Sequence, residues 1–329
     1  MSSTIRDVAA AAGVHISTVS RAFSAPHLVS RETRDRVLEV AERLGYRPNP
    51  AARALITGRT HNLGLLVADL ANPFFPPLIK AAAGCARERG YHVVVADTDE
   101  DPVVEEELVL ALARQVDGIL LCSPRMTNEA IGRLREEVPL VVVNRVVAGP
   151  PVVLMDLAAG VRAAFEHLTA LGHRAVVLVT GPRGSWASGE IRRAATAAAR
   201  SAGVDLTVLG PNPPTQEAGA AAAAGVLRTG ATAVLAYNDL VAIGVIEGLV
   251  EAGADVPGRI SVVGIDDIAP SRMISPGLTT VATPKAAAGR AAVDLLLERG
   301  GDGVTARLTL GTELVVREST APAPGRPLT

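Results

Sequence analysis

The sequence contains almost no cysteine. Only Cys85 and Cys122 occur among the 329 residues, and each is flanked by apolar or small residues. Two cysteines are too few for a disulfide framework, so we expect both thiols to be buried and the chain to work in a reducing compartment. Neither cysteine has the spacing of a metal site, and no metal or other cofactor is predicted.

Aromatic residues and long apolar runs are also scarce. Aromatic residues make up 2% of the chain although 48% of it is hydrophobic, so alanine, valine and leucine must fill the core. The longest apolar runs, such as 140–143 and 175–179, are far shorter than the roughly 20 residues that span a bilayer. The first twelve residues have the pattern of a capped helix rather than of a signal peptide. These features predict a cytoplasmic protein without a membrane partner.

Enzyme motifs are missing as well. The sequence has no HExxH, GxSxG or Walker loop, and its glycine-rich pieces lack the strand-turn-helix context of a GxGxxG motif. We therefore expect a protein that is not an enzyme and has no catalytic residues.

Charge is distributed unevenly along the chain. The net charge is −2, but residues 1–60 hold nine arginines against five acidic residues. The rest of the chain is therefore acidic, and a polyanionic partner is expected at the first sixty residues. A charged segment is often only a solvated face, so the motifs within it must decide.

Three short helices are predicted in this basic segment. Thr4 suits the start of a helix over about 5–11, and Gly13 permits the tight turn that follows. A second helix is expected over about 16–23, and Ser30 suits the cap of a third. Two short helices joined by a glycine turn and closed by a third make one small bundle.

The same segment carries a series of motifs in a fixed order. They are Thr4-Ile-Arg-Asp-Val-Ala, Gly13-Val, Ser17-Thr-Val-Ser-Arg21, Val29-Ser30, Thr33-Arg34 and Gly45-Tyr-Arg-Pro-Asn49. Together they resemble the helix-turn-helix headpiece of the LacI/GalR family of bacterial transcription regulators. The resemblance implies an all-α DNA-binding headpiece over residues 1–49.

The resemblance also implies roles for the polar residues of the headpiece. The second helix would lie in the major groove, where Ile16, Ser17 and Arg21 face base edges and Arg21 suits the acceptor pair of a guanine. Ser20, on the same helix, is counted among the DNA-binding residues. His15 stands where the family more often has a small residue; it is predicted to cap the helix or to be exposed, with a base or phosphate contact as the alternative. Phosphate contacts are implied for Thr4, Thr18, Ser30, Thr33, Tyr46 and Asn49.

Residues 50–61 are predicted to be a hinge. Residues 50–56 form a short apolar segment that begins with a proline and is too short to be a stable helix alone. The resemblance implies that this segment becomes helical when two subunits sit on an operator, with Leu55 wedged into the minor groove and Ala52 at the contact between the two helices. The alternative is a plain linker.

The pattern changes after residue 61 to apolar runs that alternate with helical stretches. Continuous valine and leucine runs indicate strands buried on both faces, which parallel sheets require. The alternation recurs later in the chain, which predicts an α/β domain of two doubly wound lobes over 62–318. The predicted strands are 63–67, 92–96, 118–121, 175–179, 204–209, 233–236 and 261–265, with the first helices over 75–88 and 102–115.

The end of the chain has a different composition. Residues 319–329 are rich in proline, alanine and glycine and contain no leucine heptad. We expect a disordered tail and, because a tetramer-forming helix is missing from the pattern, a homodimer.

The large domain carries a second group of motifs, among them Asn72-Pro-Phe-Phe75, Tyr237-Asn-Asp239 and Gly264-Ile-Asp-Asp267. They resemble the periplasmic-binding-protein-like (type I) sensor domain of the same family. Ligands of open α/β sheets bind beyond the carboxyl ends of the strands, so an effector site is expected between the lobes. Amides and carboxylates there suit a sugar or nucleoside. The predicted effector-binding residues are Asn72, Phe74, Phe75, Asn144, Trp186, Arg192, Asn238 and Asp266.

Some of these residues have an alternative role. Asn238 and Asp266 also suit the capping of a helix or a turn, and Trp186 also suits packing at an interface. The family usually has an arginine where this chain has Ile191, and Arg192 is one position away. One position turns a helical side chain by about 100°.

Taken together, the motifs predict a sequence-specific transcription regulator, a repressor by family resemblance. Its homodimer would bind a pseudo-palindromic operator at the nucleoid, and a small-molecule effector would change the affinity. For residues 62–318 taken alone, the alternative is a periplasmic solute-binding protein, which shares the lobed fold. The headpiece and the missing export signal favour the regulator.

Overall fold

The computed structural model describes residues 3–47, 58–298 and 306–325. The chain divides into two units, residues 1–61 and residues 62–329, and each unit has a hydrophobic core of its own. Within the described residues, no helix is long and apolar enough to cross a membrane.

Three helices form the first unit, as the sequence predicts. They are α1 (Ile5–Ala12), α2 (Ile16–Ser24) and α3 (Arg31–Arg43), and a short 3₁₀ turn, Pro26–Leu28, joins the last two. One apolar stripe of each helix faces the others, and the fully buried side chains at the centre are Val8, Val19 and Val37.

Local signals fix the ends of these helices. Thr4 and Asp7 form a capping box at the start of α1, and Gly13 ends that helix with φ 63°, a left-handed conformation that glycine adopts at little cost. The Ser30 hydroxyl accepts a hydrogen bond from the Thr33 amide at 3.3 Å and so caps α3. The headpiece thus follows from its own sequence.

A parallel six-stranded sheet forms the first lobe of the second unit. Its strands are β1 (Asn62–Val67), β2 (His92–Asp97), β3 (Ile119–Cys122), β4 (Leu140–Val143), β5 (Val152–Met155) and β11 (Arg307–Leu310). The order across the sheet is β11-β5-β4-β3-β1-β2, and every pair is parallel. Its helices are α4 (Phe75–Glu88), α5 (Pro102–Leu112), α6 (Asn128–Leu134) and α11 (Lys285–Glu298).

The second lobe repeats this arrangement. Its strands are β6 (Ala175–Val179), β7 (Asp205–Leu209), β8 (Ala233–Ala236), β9 (Ser261–Asp266), β10 (Thr279–Ala282) and β12 (Glu313–Val315). The order is β12-β10-β9-β8-β6-β7, with only the β10–β12 pair antiparallel. Its helices are α7 (Leu157–Ala170), α8 (Trp186–Ala202), α9 (Gln216–Thr229) and α10 (Asp239–Glu251).

The chain passes between the two lobes three times. The crossings follow β5, β10 and β11, so α11 and β11 return to the first lobe and β12 ends in the second. The predicted pair of doubly wound lobes is confirmed. The carboxyl ends of the parallel strands meet at one edge of each sheet, where crossover connections place them.

Small residues let α9 and α10 approach closely in a core that has few aromatic side chains. A Cβ added at Gly244 would lie 1.8 Å from the carbonyl oxygen of Gln216, and one added at Gly219 would lie 2.2 Å from that of Val241. The two helices therefore touch backbone to backbone. Any larger residue at Gly244 would force them apart.

The predicted disordered tail is wrong for residues 319–325. Ser319 is fully buried; its hydroxyl donates to the carbonyl of Val262 at 2.6 Å and accepts from the amide of Thr279 at 2.8 Å. Further on, the Ala323 amide donates to the Leu171 carbonyl at 2.9 Å. Composition suggested disorder, but these hydrogen bonds hold the segment against the second lobe. Residues 326–329 lie outside the described residues.

We expect Ser319→Ala to lower the free energy of unfolding of the second unit by about 1–3 kcal/mol, because the buried amide of Thr279 loses its acceptor. Urea unfolding followed by the fluorescence of Trp186, the only tryptophan, measures the change. Ser201→Ala, at an exposed serine of α8, is the matched control. A loss at Ser319 no larger than at Ser201 would contradict the role of this segment.

Candidate functional site

The exposed face of α2 is the candidate nucleic-acid surface of the headpiece. Ile16 is 39% exposed, and Ser17 and Arg21 are also exposed, on the side away from the buried Val19 and Ala22. An apolar group, a hydroxyl and a guanidinium are thus presented together, which are the groups that read a thymine methyl and a guanine edge.

His15 caps the same helix. Its Nδ1 accepts hydrogen bonds from the Ser17 amide at 3.3 Å and from the Ser17 hydroxyl at 2.9 Å. Because Nδ1 is the acceptor, Nε2 carries the proton of the neutral ring and is a donor. The capping role predicted for His15 is therefore the one that its hydrogen bonds support, and the ring still leaves one donor available.

The residues predicted to contact phosphates lie at helix ends and on α2. Thr4 and Ser30 stand at the N-termini of α1 and α3, where backbone amides attract anions. The Thr4 amide and hydroxyl both donate to the Asp7 carboxylate at 2.8 Å, which lowers the pKa of that acid. Tyr46 packs edge-on against Phe23 at 6.0 Å, and burial raises the pKa of its hydroxyl. Thr18 and Ser20, both on α2, are partly exposed. The Thr33 hydroxyl accepts a hydrogen bond from the Ser30 hydroxyl at the start of α3. Asn49, Ala52 and Leu55 lie outside the described residues.

A cleft between the two lobes of the second unit is the candidate ligand site. It holds about 450 Å³ of empty space, part of it open to solvent. Residues that follow β1, β2, β3 and β4 line one wall, and residues that follow β8, with the end of β9 and the start of α8, line the other. The polar lining residues are Asn72, Glu100, Ser123, Arg125, Asn144, Tyr237, Asn238 and Asp266.

Asn144 places an unpaired acceptor in this cleft. Its Nδ2 donates to the Ser123 hydroxyl at 3.3 Å, but among the described residues its Oδ1 is buried without a hydrogen-bond partner. Ser123 and Asn144 also have positive φ angles of 56° and 59°. Unpaired buried acceptors and left-handed non-glycine residues are costly and concentrate at ligand sites, so both observations point to a ligand site, and the unpaired oxygen points to a donor group on the ligand.

Arg125 enters the cleft already paired. Its Nε and Nη2 donate to the two carboxylate oxygens of Glu100 at 2.5 and 2.8 Å, and its Nη1 donates to the carbonyl of Ser123 at 2.7 Å. Burial lowers the pKa of the guanidinium, but the bonds to Glu100 and nearby charges outweigh burial and raise it. The side chain, only 7% exposed, is therefore a charged and fixed part of the wall.

The second lobe contributes an amide, a phenol and a carboxylate. Asn238 caps α10, because its Oδ1 accepts from the Val241 amide at 2.9 Å, and its Nδ2 donates to the Pro214 carbonyl at 3.3 Å. The Tyr237 hydroxyl bonds the Ser185 hydroxyl at 3.0 Å. Burial and the neighbouring Asp239 raise the pKa of Asp266.

Known proteins resemble this chain along nearly its whole length. Two families match: bacterial regulatory proteins of the lacI family over residues 4–49, and the periplasmic binding protein-like domain over residues 165–320. The transcriptional regulator PtxS of Pseudomonas plecoglossicida is 36% identical over 96% of this chain and 95% of its own length. The regulator DegA of Bacillus subtilis is 32% identical over 98% and 99%. The chain belongs to the lacI family of bacterial regulatory proteins.

Solved structures of this lacI family share the fold. The Lac repressor dimer bound to operator and the anti-inducer ONPF has a TM-score of 0.88 at 27% identity, covering 98% of this chain and all of that one. The complex of the regulator CelR with cellobiose has a TM-score of 0.72 at 31% identity, covering 96% and 99%. The lacI-family chain described here is accordingly a DNA-binding transcription regulator.

The structure brings six of the eight predicted effector residues into the cleft of this lacI-family protein. Arg192 is not among them, because it is exposed on α8, whereas Ile191 is buried and lines the cleft. Trp186 does not line the cleft either. It is partly buried and packs against the cores of both lobes, which agrees with the alternative role of packing at an interface. The six that line it are Asn72, Phe74, Phe75, Asn144, Asn238 and Asp266.

Sequence reasoning missed four polar residues of the cleft. Glu100, Ser123, Arg125 and Tyr237 each lie within a few residues after a strand, so the rule that located Asn144 applies to them too. The ion pair between Glu100 and Arg125, by contrast, is visible only in the structure.

A buried carboxyl behind the cleft makes stability depend on pH. Burial raises the pKa of Asp239 to about 6 from an ordinary 3.8, although it accepts hydrogen bonds from Ser271, Thr280 and Ile268. Between these two values the folded protein holds a proton that the unfolded chain has lost. The stabilisation is complete below about pH 4 and is lost as the pH rises through about 6.

We therefore expect the free energy of unfolding to fall as the pH rises from 4 to 6.5. Asp239→Asn removes this titration and should reduce the slope near pH 5 by roughly 1.4 kcal/mol per pH unit. Urea unfolding at a series of pH values measures it, with Asp205→Asn, at an exposed aspartate, as the control. An unchanged slope in Asp239→Asn would contradict the assignment.

Proposed function

We propose that this lacI-family protein is a repressor whose homodimer binds a pseudo-palindromic operator, with an affinity set by a small molecule held between its lobes. The observation that carries the effector part is the buried Oδ1 of Asn144, a residue that lines the cleft; this oxygen has no hydrogen-bond partner among the described residues. The proposed role is regulatory rather than catalytic, and its place is the cytoplasm, at the chromosome.

In the proposed complex, α2 enters the major groove. Arg21 bonds a guanine, Ile16 meets a thymine methyl, and Ser17 and His15 complete the surface that faces the bases. Phosphate contacts from both helix N-termini fix the register of the headpiece without reading sequence. Leu55 and Ala52 of the hinge are proposed to add a minor-groove wedge, which reads the deformability of the central step.

The proposed effector is an uncharged, hydroxyl-rich molecule such as a carbohydrate or a nucleoside. The unpaired Oδ1 of Asn144 requires a donor, while Phe74, Phe75 and Ile191 provide apolar walls for a ring face. The cellobiose bound by the relative CelR supports this class, as does the fold that the two proteins share. Binding would draw the lobes together, because the ligand must contact both.

Such a ligand changes operator affinity only if it binds one arrangement of the lobes better than the other. A hundredfold change in operator affinity needs about 2.7 kcal/mol of coupling. A solute-binding protein is the competing role for the two-lobed unit alone. Specific retention of DNA by the full chain distinguishes the two.

We expect the purified chain to enrich a palindromic sequence from fragmented genomic DNA at physiological salt, where non-specific binding is weak. Arg21→Ala should weaken binding to that sequence by about 1–3 kcal/mol and relax its preference at one base pair. Arg43→Ala removes the same charge from the far end of α3 and serves as the control. Fluorescence anisotropy with matched and mutated operators measures both.

Equal losses in the two variants, on specific and unrelated DNA alike, would count against a base-reading role for Arg21. Enrichment of no sequence, with or without pooled metabolites, would overturn the proposal of a specific regulator.

We expect Asn144→Ala to leave operator binding without effector unchanged but to weaken the effector response tenfold or more, because a buried hydrogen bond to the ligand is lost. Effector titrations of the operator complex measure this shift. Gln115→Ala, at an exposed amide side chain on the same lobe, is the control. An unaltered titration in Asn144→Ala would show that the ligand sits elsewhere.

A further inference from the structure

The charges in the cleft restrict what can bind there. Arg125 is the one arginine or lysine among the described residues that line it, against the two acids Glu100 and Asp266. Lys285, another nearby cation, lies behind Asp266 and donates to the backbone carbonyls of Asp266 and Asp267. An anionic ligand would therefore depend on Arg125.

Glu100 already binds the Nε–Nη2 edge of the Arg125 guanidinium, which is an edge that an anionic ligand would need. Both carboxylate oxygens of Glu100 are engaged, by Nε at 2.5 Å and by Nη2 at 2.8 Å, in the paired geometry by which arginine also binds a ligand carboxylate or phosphate. The third contact, from Nη1 to the Ser123 carbonyl, fixes the remaining side of the fork. A ligand carboxylate or phosphate would have to displace Glu100 from Arg125. The displaced Glu100 would then be left without a cationic partner in the cleft, in addition to Asp266.

The rest of the cleft offers an anion little compensation. Asn144 presents its unpaired acceptor oxygen, and Asp266 adds a carboxylate at the end of β9. Ile191, on α8, is apolar and buried. Glu100 and Arg125 neutralise each other, so a negative ligand would meet the unpaired acceptor of Asn144 and the oxygens of Asp266 without a free cation to offset them, in a site where water is partly excluded.

We propose that Glu100 is a specificity-determining residue: by neutralising Arg125 it makes the cleft select uncharged polyhydroxy ligands and reject sugar acids and phosphorylated sugars. This inference rests on the proposed effector site and adds the charge class that the site accepts. Removing the charge of Glu100 would free the Arg125 guanidinium to bind an anion.

The test compares neutral and anionic forms of the same carbohydrate. Ribose with ribose 5-phosphate, glucose with gluconate and cellobiose with cellobionate are titrated into the full chain, together with inorganic phosphate as a bare anion. Trp186 fluorescence reports on the lobes, since that ring packs against both cores, and thermal unfolding gives a second readout.

Three proteins are compared: the native chain, Glu100→Gln and Glu106→Gln. The Gln variant at position 100 keeps the shape and one acceptor for Arg125 but loses the charge. Glu106 pairs with Arg133 at 3.1 Å on the same lobe, outside the cleft, so Glu106→Gln removes the same charge from a more exposed ion pair.

In the native chain we expect any carbohydrate that binds to do so at least tenfold more tightly in its neutral form. Glu100→Gln should bind phosphate or the anionic forms at least tenfold more tightly than the native chain does, and Glu106→Gln should match the native chain. A native chain that prefers an anionic form, no gain in Glu100→Gln, or an equal gain in Glu106→Gln would overturn the inference. If Glu100→Gln gains the anion while no carbohydrate binds the native chain, the role of Glu100 stands and the proposed carbohydrate effector fails.

Discussion

Parallel strand pairing decides where every side chain of the cleft lies. Parallel neighbours must be joined by crossovers, so all strands of a lobe end at the same edge of its sheet. The three crossings between lobes then set the ends of β3 and β4 opposite those of β8 and β9. Asn144 and Asp266, far apart in the sequence, line one cavity for that reason.

A second layer of contacts holds the wall of the cleft in place. Asp239 accepts hydrogen bonds from the Ile268 amide and the Ser271 and Thr280 hydroxyls, and so fixes the loop that follows Asp266. Lys285, at the second crossing between the lobes, donates to the carbonyl of Asp266 as well. These supports come from both sides of that crossing, because Asp239 and its partners precede it and Lys285 follows it.

The headpiece and the large unit depend on different levels of organisation. Caps at Thr4, His15 and Ser30 are bonds between residues two or three positions apart, so the helices of the headpiece follow from local sequence. The large unit depends on contacts between distant segments. Among them are the hydrogen bonds from Ser319 to Val262 in β9 and Thr279 in β10, which hold the C-terminal segment for which composition alone predicted disorder.

The sequence by itself determined the three headpiece helices, the α/β alternation and half of the polar residues that line the cleft, because capping, periodicity and strand order are local or topological rules. It did not predict β5, β10, β11 and β12, each three or four residues long. Only the tertiary structure decided that Ile191 rather than Arg192 faces the cleft, since one position turns a helical side chain by about 100°. It alone also joined Glu100 to Arg125, because that ion pair connects the ends of two separate strands.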